Sequence, residues 1–407
     1  MTITNNQETK FPVLWVMMLG VMIAIGPLSI DMYLPAFPSM AEDFGVNVGT
    51  IAKSVPAYFL GLVFGQLFYG PFSDRIGRVR PLYLGMSIFI IASIICATTN
   101  NEYALFIART LQALGACVTT VVTRAAIRDT LNPVQSARAF SLMVLVMGVA
   151  PILAPSLGAL ILKVADWHGI FWFLASFGVL NLLLTKCFLK ETLKPENRNT
   201  RPMSESFGQY FGLMKDHTFM LPAVASGLLQ GAFFIYLSIS SELFSGDSRR
   251  TEHQIGIAFG VNAFGFIALT QVNQFLTKRF HLVNLLRTGA VIQLAAAGVL
   301  LILGLIFGGK ASFYWVFVSL FICIAGLGLT QPNATAIALA FQKKRAGLAS
   351  ALQGALQFSV GIFGGLLIGL FELDPVTRLG ITTSILVVVG TFLVFYINPK
   401  LDLSRLD

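Results

Sequence analysis

The chain has 407 residues, of which 56% are hydrophobic and only 12% are charged, and its formal net charge is +9. A soluble domain carries about 25% charged residues, so this composition excludes a water-soluble globule of this size. The basic residues lie in short clusters between long apolar blocks, which argues against nucleic-acid binding and is typical of a membrane protein.

Twelve apolar blocks follow one another along the chain, and each is long enough to cross the hydrocarbon core as a helix. They predict an all-α integral membrane fold. The twelve spans are expected at about 11–34, 49–71, 79–99, 102–124, 138–162, 169–190, 218–242, 254–277, 285–308, 311–338, 347–371 and 377–398.

The loop charges predict the orientation of these spans. If the N-terminus is cytoplasmic, 21 of the 28 lysines and arginines fall in inner segments and six in outer segments. Cytoplasmic loops carry an excess of positive charge, so both termini are expected in the cytoplasm.

The longest polar stretch lies between the sixth and seventh spans and divides the chain into two halves. We expect an N-terminal six-helix bundle at 1–189, a cytoplasmic central loop at 190–217 and a C-terminal six-helix bundle at 218–407. A transporter built of two helical bundles has this layout. A receptor or a membrane enzyme has no reason to be divided in this way.

The turn after the second span reads Gly-Pro-Phe-Ser-Asp-Arg-Ile-Gly-Arg from Gly70 to Arg78. It resembles the signature between helices two and three of the major facilitator superfamily, which implies a cytoplasmic latch. Positive-inside charge alone would explain the arginines but not the glycine and aspartate spacing. By resemblance Asp74 lies against the start of the eleventh helix, and the arginines pair with nearby acids, with Asp129 as the candidate. The expected latch residues are Gly70, Asp74, Arg75, Gly77, Arg78 and Asp129.

Two further spans resemble motifs of this superfamily. In the fourth, Arg109 and Gln112 resemble the helix-four motif, with its glycine displaced to Gly115; a buried arginine usually faces a polar interior, and the alternative is an arginine that reaches the outer interface. In the fifth, the motif associated with antiporters is resembled by Gly148, Pro151, Pro155 and Gly158. Generic helix packing is the alternative for these residues.

Asp31 is the one acid of nineteen that the predicted spans place well inside the membrane. A low-dielectric site favours the neutral form of a carboxyl group, which suits a proton carrier. The alternative is an interfacial aspartate near the outer end of the first helix. Arg109 lies at a similar depth on an antiparallel helix, so contact with Asp31, direct or through water, is feasible.

The string from Pro27 to Pro35, Pro-Leu-Ser-Ile-Asp-Met-Tyr-Leu-Pro, resembles the Bcr/CflA branch of drug:proton antiporters, as do Ala57–Gly61 and Gly347–Gly354. The resemblance implies twelve helices around a central cavity, proton antiport and a multi-pass protein of the bacterial inner membrane. Polar and aromatic candidates for the cavity lining are Tyr33, Tyr58, Gln66, Gln112, Tyr236, Asn262, Gln331, Asn333, Gln353 and Gln357.

The sequence therefore predicts an exporter of small drug-like molecules, such as chloramphenicol- or bicyclomycin-type compounds, driven by proton exchange through Asp31 and Arg109. A proton-coupled carrier of a small metabolite is the alternative, and a membrane enzyme or receptor is the third class. Catalytic triads, nucleotide-binding loops and metal-ligand spacings are absent from the sequence. We expect no cofactor, metal or nucleic acid, and a monomer in the lipid bilayer that binds only a small molecule and protons.

Overall fold

The structure, a computed structural model, describes residues 12–198, 203–244, 252–342 and 345–397. Within these ranges the chain forms helices and no strand, so the predicted all-α class is confirmed. Ten helical stretches of the described residues are long and apolar enough to cross a membrane, which identifies a multi-pass membrane protein.

The first half of the chain contains nine α-helices and a 3-10 turn at Leu34–Ala36 among the residues described before position 190. The helices are α1 (Val13–Ile23), α2 (Ile25–Asp31), α3 (Phe37–Phe44), α4 (Val48–Ala52), α5 (Ser54–Ile76), α6 (Val79–Thr98), α7 (Glu102–Thr130), α8 (Pro133–Ile161) and α9 (His168–Phe188).

The described part of the second half begins with a helix inside the predicted central loop, α10 (Met203–Met214). Short 3-10 turns lie at Pro195–Asn197 and Gly308–Lys310. The remaining helices are α11 (His217–Phe244), α12 (Glu252–Leu276), α13 (Leu282–Phe307), α14 (Phe313–Ala340), α15 (Ala346–Gly369) and α16 (Pro375–Tyr396).

The first predicted span is interrupted rather than straight. A proline ring clashes with the carbonyl of the residue four positions earlier in a helix. Pro27 and Pro35 stand four residues after Ile23 and Asp31, and these are the residues at which α1 and α2 end. The two prolines therefore place Asp31 at the end of a helix segment, where the chain turns into the 3-10 segment.

Two other boundaries differ from the predicted spans. Helix α7, which corresponds to the fourth predicted span, continues to Thr130, so Asp129 belongs to its last turn. The next helix begins at Pro133, because Asn132 caps it by accepting a hydrogen bond from the N–H of Gln135 at 2.9 Å. The outermost ends of the first and twelfth predicted spans, residues 11 and 398, lie outside the described residues.

Glycines allow the closest approaches between helices. A Cβ atom at Gly61 would overlap the carbonyl oxygen of Thr110, so α5 packs directly on the backbone of α7. A Cβ atom at Gly361 would lie 2.7 Å from the ring of Phe59, which joins α5 to α15 across the two halves of the chain. The other extensive contact between the halves is formed by α8 and α12.

We predict that Gly61→Ala lowers the apparent Tm of the purified protein, since the added methyl group must displace a backbone, and overpacking typically costs about 1–3 kcal/mol. The matched control is Gly298→Ala in α13, where nothing lies within 4 Å of the new Cβ atom. A thiol-reactive dye reports unfolding through the buried Cys96, Cys117 and Cys323. Equal Tm values for the two variants would contradict the tight α5–α7 contact.

Candidate functional site

The carboxyl group of Asp31 lies inside the protein at the end of α2. The residue is 4% exposed, and its Oδ1 atom is buried without a hydrogen-bond partner. Buried polar atoms of folded proteins nearly always have a partner. An unpaired carboxylate oxygen in a membrane domain is therefore a candidate position for a proton, a water molecule or a ligand group.

Arg109 is fully buried in α7, and its positive charge is held by aromatic rings and backbone. The guanidinium carbon lies 4.1 Å from the ring centroid of Tyr33 and 4.3 Å from that of Tyr58. Nη2 donates to the carbonyl of Ser29 at 2.8 Å, and Nη1 donates to the amide oxygen of Gln112. Cation–π contacts between desolvated groups contribute about 2 kcal/mol or more each.

The direct contact between Arg109 and Asp31 that similar depth suggested is not made: no ion pair joins them among the described residues. The arginine instead binds the carbonyl of Ser29, two residues before Asp31. That carbonyl belongs to the last turn of α2, where carbonyl oxygens have no partner within the helix. Arg109 thus reaches Asp31 through the backbone that carries it.

The arginine site extends through neutral hydrogen bonds to two further helices. Gln112 donates from Nε2 to the hydroxyl of Ser93 on α6 at 2.7 Å. The hydroxyl groups of Tyr33 and Ser54 lie 2.8 Å apart and connect the segment that follows α2 to the start of α5. Sequence reasoning included Tyr33 and Gln112 but missed Ser54 and Ser93, because a serine in an apolar span has no distinguishing local pattern.

A second group of unpaired polar atoms comes from the other half of the chain. Tyr236 of α11 and Asn262 of α12 are buried, and the tyrosine hydroxyl and both amide atoms lack a hydrogen bond of good geometry. Tyr236 adjoins Asn262 and lies within electrostatic reach of Asp31. The halves therefore meet around a small polar region whose atoms can be satisfied by water or by a ligand.

Three of the other predicted cavity residues already have partners. Gln331 and Gln357 bind Ser226 and each other, with distances of 3.0–3.1 Å. Asn333 pairs with Asn273 at 2.8 Å. These satisfied amides hold α11, α12, α14 and α15 together rather than face a cavity unpaired.

Two predicted lining residues lie nearer to the end of the molecule that carries the Asp74–Arg78 turn. Gln353 donates to the hydroxyl of Thr335 at 2.8 Å. The side chain of Gln66 lies against Gly354 on α15, where an added Cβ atom would be 3.3 Å from its Cδ. Both residues therefore contribute to packing between helices in this structure.

The predicted helix-five motif lies beside Asp31. A Cβ atom at Gly158 would overlap the carbonyl oxygen of Met32, the residue after Asp31, so this glycine lets α8 touch the turn that carries the carboxyl group. Pro155 is buried in the same helix. Gly148 and Pro151 belong to α8, but their side-chain surroundings lie outside the described part of the structure.

The turn between α5 and α6 contains the pair that the sequence predicted. Arg78 donates from Nε to Asp129 at 2.8 Å and from Nη1 to Asp74 at 2.6 Å. Asp74 makes this bond, among the described residues, rather than the contact with the start of the eleventh helix that the resemblance implied. Arg75 is exposed and forms no ion pair with a described residue.

Glu191, which follows α9, is a partner of this turn that sequence reasoning missed. Its carboxylate accepts hydrogen bonds from the backbone N–H groups of Arg78, at 2.8 and 3.0 Å, and Val79, at 3.4 Å. The glycine before them has φ +99°, and a Cβ atom there would overlap Glu191, so Gly77 is required for both conformation and space. The signal is long-range, since Glu191 is 113 residues from Arg78.

A cavity of about 440 Å³ opens between the two halves at the end of the molecule opposite to the Asp74–Arg78 turn. Its lining includes Ser238 and Glu242, which follow Tyr236 on α11. An ion pair between Glu242 and Arg378 forms one wall, and Lys53 and Gly49 form part of the other. Volumes of this size hold small organic ligands in other proteins. No cluster of potential metal ligands occurs in the described ranges.

Comparison with known proteins adds family relationships to this geometry. A sequence model of the Major Facilitator Superfamily matches residues 18–365. An uncharacterized MFS-type transporter of Bacillus subtilis (strain 168), YdgK, is 33% identical over 402 residues, which cover 97% of this chain and 98% of that protein. Multidrug resistance protein D of Escherichia coli (strain K12) is 30% identical over 390 residues and 93% of each chain.

A bicyclomycin resistance protein homolog of Haemophilus influenzae is 25% identical over 401 residues, which cover 98% of this chain and all of that protein. Among solved structures, a bacterial homolog of the human lysosomal transporter Spinster, in an inward-facing and unoccupied conformation, superimposes with a TM-score of 0.73 over 98% of each chain. Its sequence identity is 14%, so this similarity concerns the fold alone.

The arginine site generates a prediction about which part of Tyr58 matters. Its hydroxyl group lacks a hydrogen bond of good geometry, whereas its ring covers the Arg109 charge. Tyr58→Phe should retain the wild-type Tm, and Tyr58→Leu should lower it, because only the second change removes the cation–π contact. Thermal unfolding in detergent measures both, and similar losses in the two variants would show that the ring does not stabilise the arginine.

Proposed function

Because the chain belongs to the Major Facilitator Superfamily, as its motifs predicted, we propose that it exports small drug-like molecules in exchange for protons by alternating access. The chain is a transporter rather than an enzyme. The names of the relatives in Haemophilus and Escherichia, which refer to bicyclomycin and multidrug resistance, support a drug-like cargo. The bacterial inner membrane is the proposed location.

The proposed architecture has twelve spans with both termini in the cytoplasm. The ten apolar stretches would be joined by α8 and α12, which are 29 and 25 residues long and coincide with the predicted fifth and eighth spans. Residues 1–189 and 218–407 would then act as two six-helix bundles joined by 190–217. Rocking of such bundles around a central site is the usual way in which these transporters alternate access.

The observation that carries the proposal is the unpaired, buried carboxyl group of Asp31 at the meeting point of the halves. With the inside open, the ionised carboxyl group binds a donor group of the cargo. Protonation from the outside then neutralises Asp31, weakens that hydrogen bond and releases the cargo outward. Proton and cargo are coupled because each lowers the affinity of the protein for the other.

Arg109 has a positioning role in this proposal. It binds the carbonyl of Ser29 and is wedged between Tyr33 and Tyr58, so it fixes the turn from which Asp31 projects. The cavity beside Lys53 and Glu242 provides the outer opening through which cargo leaves and protons enter.

The pairing of the polar residues argues against a sugar as cargo. A sugar presents many hydroxyl groups, and binding it would require a matching set of free polar side chains. The amides of Gln331 and Gln357 are already bonded to Ser226 and to each other, and Asn333 is bonded to Asn273. A mostly apolar molecule with one or two polar groups matches the polar atoms around Asp31 better.

Asp31→Asn should abolish efflux driven by a pH gradient while the protein still folds, since asparagine keeps the shape of the side chain but cannot exchange a proton and, like the protonated acid, binds the cargo only weakly. Efflux from proteoliposomes with an imposed pH gradient measures this loss. Glu42→Gln, which changes an exposed acid of α3, is the matched control and should transport normally. Undiminished transport by the Asp31 variant would refute this residue as the proton site.

Expression in an efflux-deficient bacterium tests the class of cargo. We expect resistance to chloramphenicol, florfenicol, bicyclomycin or lipophilic cations, and we expect a protonophore to abolish the drug efflux because it removes the gradient that drives it. Drug accumulation with and without the protonophore is the measurement. If no member of the panel is exported while a metabolite is taken up in a proton-dependent way, the metabolite carrier is the correct function.

A further inference from the structure

Helix α10, in the predicted central loop, has one apolar face that is buried against the protein and another that is exposed. Tyr210 and Leu213 are buried against the protein, with exposures of 5% and 0%. Phe207, Phe211 and Met214 have exposures of 39%, 66% and 48%. Three large apolar side chains on one 12-residue helix are thus left without protein contacts that cover them.

Helical spacing shows that these groups form one continuous arrangement. With about 100° between successive residues, the three exposed apolar residues fall within an arc of about 60°, next to the arc of Tyr210 and Leu213. The opposite side carries Glu205, Gly208 and Gly212, which are all exposed. The helix therefore presents, in order around its axis, a protein-facing side, an exposed apolar side and a polar side. An amphipathic helix lying in a membrane interface has this arrangement.

The contacts of α10 place it at the same end of the molecule as the Asp74–Arg78 turn. The hydroxyl of Tyr210 donates to the carbonyl of Leu67 on α5 at 3.2 Å and lies 4.0 Å from the position of a Cβ atom at Gly70. Burial, with a contribution from the Asp74 charge, raises the pKa of Tyr210, so the hydroxyl remains a neutral donor. Leu213 packs with Ala349 and Leu352 at the start of α15.

Two basic groups lie near the C-terminal half of α10, whose polar side carries the acid Glu205 near its start. Lys215, directly after the helix, is exposed. The Nη1 atom of Arg345 lies 3.4 Å from the position of a Cβ atom at Gly212, which is on the polar side of α10. Basic groups beside an inserted apolar face attract anionic headgroups, by about 1 kcal/mol for each charge near the membrane surface.

We propose that α10 lies in the inner leaflet of the membrane, with Phe207, Phe211 and Met214 among the acyl chains and Lys215 and Arg345 bound to anionic phospholipid. The cytoplasmic orientation of this end rests on the proposed function, but insertion into a leaflet does not depend on the cargo. Since Tyr210 and Leu213 contact α5 and α15, a lipid that holds α10 also holds the inner ends of the two halves together.

Site-directed spin labelling tests the insertion directly in liposomes. In a Cys187→Ser background, which removes the one exposed cysteine, Phe211→Cys and Gly208→Cys are labelled separately. Nothing lies within 4 Å of a Cβ atom at position 208, so this control tolerates the label. We expect a several-fold higher ratio of oxygen to nickel-chelate accessibility at 211 than at 208. Equal, water-like ratios at both positions would overturn the proposal.

Met214→Cys is a second reporter on the same exposed face, for use if Phe211→Cys does not fold. It should show the same preference for oxygen over the nickel chelate as position 211. Neither label requires transport activity, so failure of the drug-export tests leaves this result interpretable.

The headgroup contact is tested with the double variant Lys215→Gln/Arg345→Gln. Adding phosphatidylglycerol to phosphatidylcholine liposomes should raise the apparent Tm of the wild-type protein, and this shift should disappear in the double variant. Lys163→Gln/Lys310→Gln removes two exposed lysines from the other end of the predicted spans and should keep the shift. A shift that persists in the first double variant would show that α10 does not bind the anionic headgroup.

Discussion

The arrangement of the first half depends on burying the charge of Arg109 without a carboxylate partner. The hydrocarbon core of a bilayer offers no water to polar groups, so a charge buried there depends on partners within the protein. The guanidinium contacts two tyrosine rings, an amide and the carbonyl of Ser29, which join α2, α5 and α7, while its Nε has no hydrogen-bond partner. Because the arginine charge is held by these neutral groups, Asp31, two residues after Ser29, does not serve as its ion-pair partner.

Two classes of polar atoms can therefore be distinguished: those whose hydrogen bonds hold helices together, and those that remain unpaired and can bind a proton or a ligand. The amides along α14 and α15 are paired with one another, and the serines near Arg109 are bonded as well. By contrast, Asp31, Tyr236 and Asn262 approach one another from both halves and keep unpaired atoms. A site shared by two halves changes whenever they move relative to each other, and this is the property that alternating access requires.

The sequence could predict features that depend on local pattern or on charge. The helical class follows from the apolar blocks, and the pairing of Arg78 with Asp129 from two opposite charges at neighbouring helix ends. The partners of Arg109 could not be predicted, since ring faces and a backbone carbonyl leave no charge signature. Glu191 was missed for a similar reason: its bonds are to backbone N–H groups far along the chain. The sequence predicted a loop at α10 because its 12 residues lie within a polar stretch that has too few apolar residues to form a span.

The contacts at the inner end alter how the predicted latch would work. Asp74, Arg78 and Asp129 belong to the first half and Glu191 follows directly after its last helix, so their hydrogen bonds can remain intact while the halves separate. The contacts that join the halves at this end include, among the described residues, one hydroxyl on a carbonyl of α5 and Gln66 against Gly354, and both are neutral. A neutral hydrogen bond contributes about 1 kcal/mol, and its loss on opening is easily offset by binding of cargo or lipid. The charged turn then fixes the ends of α5, α6 and α7 relative to one another. The neutral contacts of Tyr210 and Gln66 are the ones that would break and re-form as the halves move.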